Sequence, residues 1–251
     1  DGQSERADDR KNADGLSKFL FAETGFGAHA ESINGACAGR TAQSKFFNNA
    51  GSADEGHADE VGDQEGESAV LGHHDGKTPD VAHADGMLIE CNGHFALVDA
   101  GMADTSDRVV NYLASRGVEK LDLVVGTHPH ADHIGAMPAV LAEYNADTFW
   151  FSDIAYTNYT VTNFLNSVKR QGKSVIRPAN GTVFDLGGAT ITVLGPIRDN
   201  HEDVNDISLV LMVQYGDVRF LLTGDMESIA EKELVESGAD LKADVLKVGH
   251  H

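Results

Sequence analysis

Leu121-Asp122-Leu123-Val124-Val125-Gly126-Thr127-His128-Pro129-His130-Ala131-Asp132-His133 is the stretch on which the fold turns. Its first six residues form an apolar, β-branched run that predicts a buried strand. Three imidazoles and one carboxylate then follow within six positions. Ile134-Gly135-Ala136 and an apolar segment with helical potential come next. The cluster therefore lies on the loop leaving the C-terminal end of a strand, where α/β proteins place their chemistry. His128 and His130 are two apart, so an extended loop projects them to one side, where they can share a metal. Asp132 and His133 come where the chain turns into a helix, so they point differently and can serve a second metal nearby. Imidazole with carboxylate suits zinc first, and also manganese or iron.

Other segments carry the same theme. Val218-Arg219-Phe220-Leu221-Leu222-Thr223-Gly224-Asp225 reads as a strand ending in an acid. An Asp ahead of a helix is also a common cap, but the buried strand before it and the neighbouring ligand types favour a metal role for Asp225. The chain closes on Asp244-Val245-Leu246-Lys247-Val248-Gly249-His250-His251.

The His-x-His-x-Asp-His cluster after a strand resembles the signature of the metallo-β-lactamase superfamily of binuclear metal hydrolases. Gly86–Glu90 with Phe95–Gly101 resembles that family's opening hairpin. Asn205-Asp206-Ile207-Ser208-Leu209-Val210-Leu211, with Leu-Thr-Gly-Asp and Val-Gly-His-His, is similar to the competence-protein (ComEC-type) hydrolase branch, which also includes a teichoic acid phosphorylcholine esterase. The resemblance spans residues 79–251 and implies an αββα sandwich. It implies two divalent metal ions: His128 and His130 on one, completed by His251 or its neighbour His250, and Asp132 and His133 on the other, with Asp225 bridging. We take His251 as the ligand and His250 as the group that contacts the phosphate or protonates the leaving group, although the two can be exchanged. Asp132 orients the nucleophile.

Three departures from the pattern stand out. Asp80-Val81-Ala82-His83-Ala84-Asp85 replaces the branch's Asp-Val-Gly-Gln-Gly-Asp opening. Between the first cluster and Asp225 the only histidine is His201, whose polar surroundings predict a solvated side chain. Relatives continue past the position of His251 with a further strand and another metal-ligating His, so the domain is expected to be C-terminally truncated here.

The chemistry implied is hydrolysis by a hydroxide held between two metals about 3.5–4 Å apart. A phosphoester or phosphodiester is the favoured substrate. The alternatives are a lactam, lactone or thioester on the same centre, or a module that keeps the fold without catalysis. The formal charge is −21, from 19 basic and 40 acidic residues, and the acidic excess runs through the whole chain. That disfavours nucleic acid as the main partner, because phosphate capture draws on Lys and Arg. No apolar run is long enough to span a membrane. A secreted or cell-surface setting is favoured over a cytoplasmic one. Cys91 reads as a core thiol, and neither it nor Cys37 belongs to a metal-type pair.

The texture changes near residue 79. Residues 1–78 are acidic and rich in Gly, Ala and Ser. Such composition repays little ordering entropy and reads as a low-complexity, loosely ordered arm; its histidines, His57, His73 and His74, read as solvated. From Pro79 the pattern predicts a hairpin over Met87–Cys91 and His94–Ala100 through a type I′ Asn92-Gly93 turn. Helices are expected at 104–116, 134–144, 163–171 and 227–236. Strands are expected at 121–126, 148–151, 174–177, 182–185, 189–194, 207–214, 218–223 and 244–248. Alternating strands and helices with two hairpins fit two packed sheets with helices outside.

Overall fold

Strand β5 (Lys120–Gly126) sets the architecture. Leu121, Leu123, Val124 and Val125 are all fully buried, which explains why the run shows no polar alternation. A strand covered on both faces needs apolar side chains on both. Leu121 and Val124 pack among helices, whereas Leu123 and Val125 pack against a second sheet. Each such burial contributes roughly 1.5–3 kcal/mol.

The structure is a computed structural model and describes residues 84–153 and 155–249. Within the N-terminal arm it also gives the backbone of an antiparallel ribbon, β1 (Gly35–Cys37) with β2 (Arg40–Ala42). The rest of the arm, His57, His73, His74, His83, His250 and His251 lie outside the described residues.

The first sheet has the order β3-β4-β5-β6. It comprises β3 (Gly86–Cys91), β4 (His94–Ala100), β5 and β6 (Asn145–Phe151). The β3–β4 hairpin turns through Asn92 and Gly93, both at positive φ (52° and 79°), as a type I′ turn requires. The second sheet has the order β11-β10-β9-β8-β7. Its strands are β7 (Val183–Leu186), β8 (Ala189–Gly195), β9 (Val210–Tyr215), β10 (Val218–Leu222) and β11 (Val245–Lys247). Only β11 runs parallel to its neighbour there.

Met87, Ile89, Val98 and Trp150 from one sheet meet Ile191, Val193, Leu211 and Phe220 from the other in the central core. Helices α1 (Ser106–Ser115), α3 (Met137–Glu143) and α4 (Tyr159–Arg170) cover the outer face of the first sheet. Helix α5 (Ser228–Glu236) covers the second through Leu234. The expected αββα sandwich is present.

Local departures have visible causes. The helix expected over 134–144 is split into α2 (Ala131–Ile134) and α3. The amide of Ala136 donates to Gly101 O at 2.9 Å, and the carbonyl of Asp132 accepts from Asp85 N at 3.1 Å. Both groups are thereby taken from the helical ladder, and Pro138 starts α3 afresh. Helix α4 begins a turn earlier than expected because Asn158 caps it, accepting from Val161 N at 2.8 Å. The strand expected at 174–177 is reduced to one bridge, Ile176 with Trp150. Residues 207–209 precede β9 as a non-strand segment tied to the ligand loop by Leu209 N→Thr127 O at 2.9 Å.

Candidate metal centre

The centre forms at one end of both sheets, where β5 delivers its loop and β10 delivers Asp225. His130 is extended (φ −78°, ψ 152°), and Asp132 and His133 ride on α2, which turns His133 back toward His128, their ring centroids 4.0 Å apart. His128, His133 and Asp225 place one ligand atom each within 4.8 Å of one another, and all three are buried. Oδ2 of Asp225 is 3.0 Å from His133 Nε2 and 3.9 Å from His128 Nε2. His128 Nε2 is in turn 3.1 Å from His130 Nδ1. Asp132 Oδ2 stands 4.0 Å from His133 Nε2, with its side chain 23% exposed. Thus His128, His133 and Asp225 converge on one point, His130 adjoins the group through His128, and Asp132 stands beside His133. His250 and His251 are not described; Gly249, just before them, packs so closely that a Cβ would lie 3.2 Å from Asp225 Cα.

The chain around Asp225 is gripped by the Asn205–Ser208 segment. Ser208 Oγ accepts from Asp225 N at 3.1 Å. Asp206 Oδ1 accepts from Glu227 N and Ala230 N, so it caps α5 from outside. Asp225 is therefore not the cap. Asn205 Nδ2 donates to Glu227 Oε1 at 2.8 Å. Gly224 adopts φ +55°, and a Cβ there would come within 2.8 Å of Ser208 Cβ. Only glycine tolerates both conditions.

Behind the ligands lies a residue that sequence reading passed over. Asp99 is fully buried and has positive φ (56°), rare for a residue with a side chain. The β3–β4 register runs Gly86↔Ala100 then Met87↔Val98, which leaves Asp99 as the unpaired residue of a bulge. Bulges re-aim side chains, and this one sends the carboxylate under the ligand loop. Asp99 takes Thr127 N at 2.8 Å, Thr127 Oγ1 at 2.7 Å and His133 Nδ1 at 2.8 Å. Thr127 gives its hydroxyl proton to Asp99 and so accepts from His128 Nδ1 at 3.1 Å. That fixes the proton of His128 on Nδ1 and leaves Nε2 with a lone pair facing the centre.

Electrostatics follow the geometry. Burial, reinforced by His133, holds His128 well below the usual imidazole range, so it is neutral and able to bind metal. Burial alone would also lower His133, but Asp99 and Asp225, with Asp85, outweigh it and raise it to about 10. Burial pushes Asp99 up against the pull of His133, whose Nδ1 donates to it at 2.8 Å. Burial would raise Asp225, yet His133, Lys247 and His128 hold it far below the carboxylate range.

Asp85, Asp99 and His133 form a second acidic group within 4.8 Å. It already has its cation: the ammonium of Lys247 bonds Asp85 Oδ2.

His201 differs from expectation. Its side chain is only 7% exposed, with Nε2 3.2 Å from Glu233 Oε2 on α5. The solvated reading fails because α5 supplies a carboxylate and covers the ring. Glu233 also takes Arg198 at 3.1 Å. A cleft of about 550 Å³ opens there, between the loop and α5. His201 is absent from both ligand groups found among the described residues.

A family model described as the metallo-beta-lactamase superfamily matches residues 79–251. The chain belongs to this superfamily. Among curated proteins it is similar to ComE operon protein 3 of Bacillus subtilis (strain 168), 29% identical over 143 residues, covering 57% of this chain and 18% of that protein. It is also similar to competence protein ComA of Neisseria gonorrhoeae, 27% identical over 167 residues, covering 66% and 22%. The chain thus spans about a fifth of the length of these relatives. Similar solved structures include a HARLDQ-motif mutant of a Cronobacter sakazakii metallo-β-lactamase, at 12% identity and TM-score 0.49, covering 67% of this chain and 73% of that one. The metallo-β-lactamase fold implies divalent metal binding. The donor set fits: buried, one neutral imidazole with a directed lone pair, one imidazole backed by a carboxylate, and a low-pKa acid between them. Among the described residues no helix is long and apolar enough to cross a membrane.

Proposed function

We propose that this superfamily member is a hydrolase with two divalent cations, zinc by preference, that cleaves a phosphoester or phosphodiester. The observation that carries the two-metal reading is the position of Asp225 Oδ2 between His133 and His128. His128 and His130 would hold one cation, and Asp132 and His133 the other, with Asp225 shared. By resemblance, His251 or His250 would complete the first. Bound there, the cations would supply an acidified water and neutralise charge developing on the ester.

The protein's own groups do the rest. Asp99 fixes the orientation of His133, and Thr127 fixes the tautomer of His128. Asp132, partly exposed, would accept a hydrogen bond from the attacking water and orient it. His250, or His251 if their roles are exchanged, protonates the leaving group.

The preference for a phosphoester rests on the likeness of Leu222–Asp225 and Val248–His251 to the competence branch. The test is metal analysis followed by a panel of bis-p-nitrophenyl phosphate, p-nitrophenyl phosphorylcholine, single-stranded DNA and nitrocefin. Metal-dependent turnover of a phosphoester is expected. Turnover of nitrocefin with inert phosphoesters would favour the lactam reading, and no turnover by metal-loaded protein would favour a binding module.

A further inference from the structure

Among the described residues, Lys247 is the buried cation of the centre that the proposed chemistry does not use. It is 1% exposed, at the end of β11, and its ammonium bonds Asp85 Oδ2, just ahead of β3. The same ammonium donates to Gly224 O at 3.1 Å and stands 3.7 Å from Asp225 Oδ1. Asp225 is thus divided: Oδ1 faces Lys247, and Oδ2 faces His133 and His128.

A buried ammonium loses its hydration and persists only when paired. Here the pairing is graded. Asp85 is the bonded counter-ion, and Gly224 O takes a second proton. The Asp225 contact is longer than a hydrogen bond and so acts through charge. The carboxylate is steered without being captured. Asp85 also fixes the ligand loop, since its amide donates to the Asp132 carbonyl at 3.1 Å.

We infer that Lys247, held by Asp85, is a positioning residue that turns the Asp225 carboxylate so that Oδ2 is presented to the metal ligands. This rests on the metal reading proposed above. With Lys247 and Asp85 both neutral, Oδ1 of Asp225 loses the charge that steers it, and the carboxylate is held less firmly in its His133 contact. With Asp85 alone neutralised, the ammonium closes on Asp225 and competes with metal. Both changes weaken metal binding.

The test reads metal affinity rather than activity. Zinc is titrated against a chromogenic chelator in wild type, in the double variant Asp85→Asn with Lys247→Met, and in Asp85→Asn, below the melting temperature of each. A purely structural pair would lower only the melting temperature. Zinc affinity at least about tenfold weaker in both folded variants is expected, the lower end of supporting-residue effects at metal sites. A change of less than about threefold in either folded variant overturns the inference, set against that same range. Asp85→Asn keeps the side-chain shape while removing the counter-charge, so it decides alone if the double variant does not fold. Wild type that takes up no zinc would instead sink the metal reading itself.

Discussion

Asp99 holds His133 from behind: its Oδ2 is 2.8 Å from Nδ1, while Nε2 of the same ring faces Asp225. An imidazole held this way has one tautomer and one orientation, which raises its strength as a ligand.

Asp99→Asn should therefore weaken metal binding by about 10–100-fold while the sandwich still folds. Thr127 and the bulge can still hold the amide. Chelator competition on folded protein checks this, and an unchanged affinity would remove Asp99 from the centre.

Asp225→Ala should abolish hydrolysis and metal sharing, because it leaves two dications without the carboxylate between them. His201→Ala should keep both, since that ring is paired with Glu233. Its cost should be about 1 kcal/mol of stability, the ordinary effect of truncating one largely covered side chain. The check is the ratio of rates at saturating metal. Equal losses in the two variants would make His201 a ligand.

Gly224→Ala should cost about 1–2 kcal/mol from its left-handed backbone alone, and more from the clash with Ser208. Because the strain falls beside Asp225, zinc affinity should fall as well as the melting temperature. A variant with wild-type melting would show that this turn relaxes freely.

Removing residues 1–78 should leave cooperative melting and metal content intact, given the sparse apolar content of that segment. Loss of the cooperative transition in the shortened chain would show that the arm completes the core.

The parts read well from sequence are those where local pattern and global role agree. The run at 121–126 is apolar because both faces are covered, and the ligand types follow it directly. Asn92-Gly93 declares its turn by residue type. The parts missed are set by partners far along the chain. Asp99 sits in an ordinary-looking strand, and only the slip in register shows that it is bulged. His201 looks solvated until α5 brings Glu233 over it. The break after Ile134 depends on hydrogen bonds to Gly101 and Asp85 that no periodicity encodes. Asn158 was readable: a cap residue ahead of Val161, Phe164 and Val168 marks the start of α4.

Asp85 and Lys247 meet across 162 positions of chain. A partly made molecule can own Asp85 and the histidine loop and still lack Asp225 and Lys247. Metal capture is then a signature of late assembly, arriving only when β11 has docked. Refolding with a zinc indicator would show this as uptake that trails the signal of Trp150, the chain's single tryptophan, which sits between the sheets. Uptake ahead of that signal would mean that the loop binds metal by itself. On the first outcome, the chemistry is withheld until the protein around it exists.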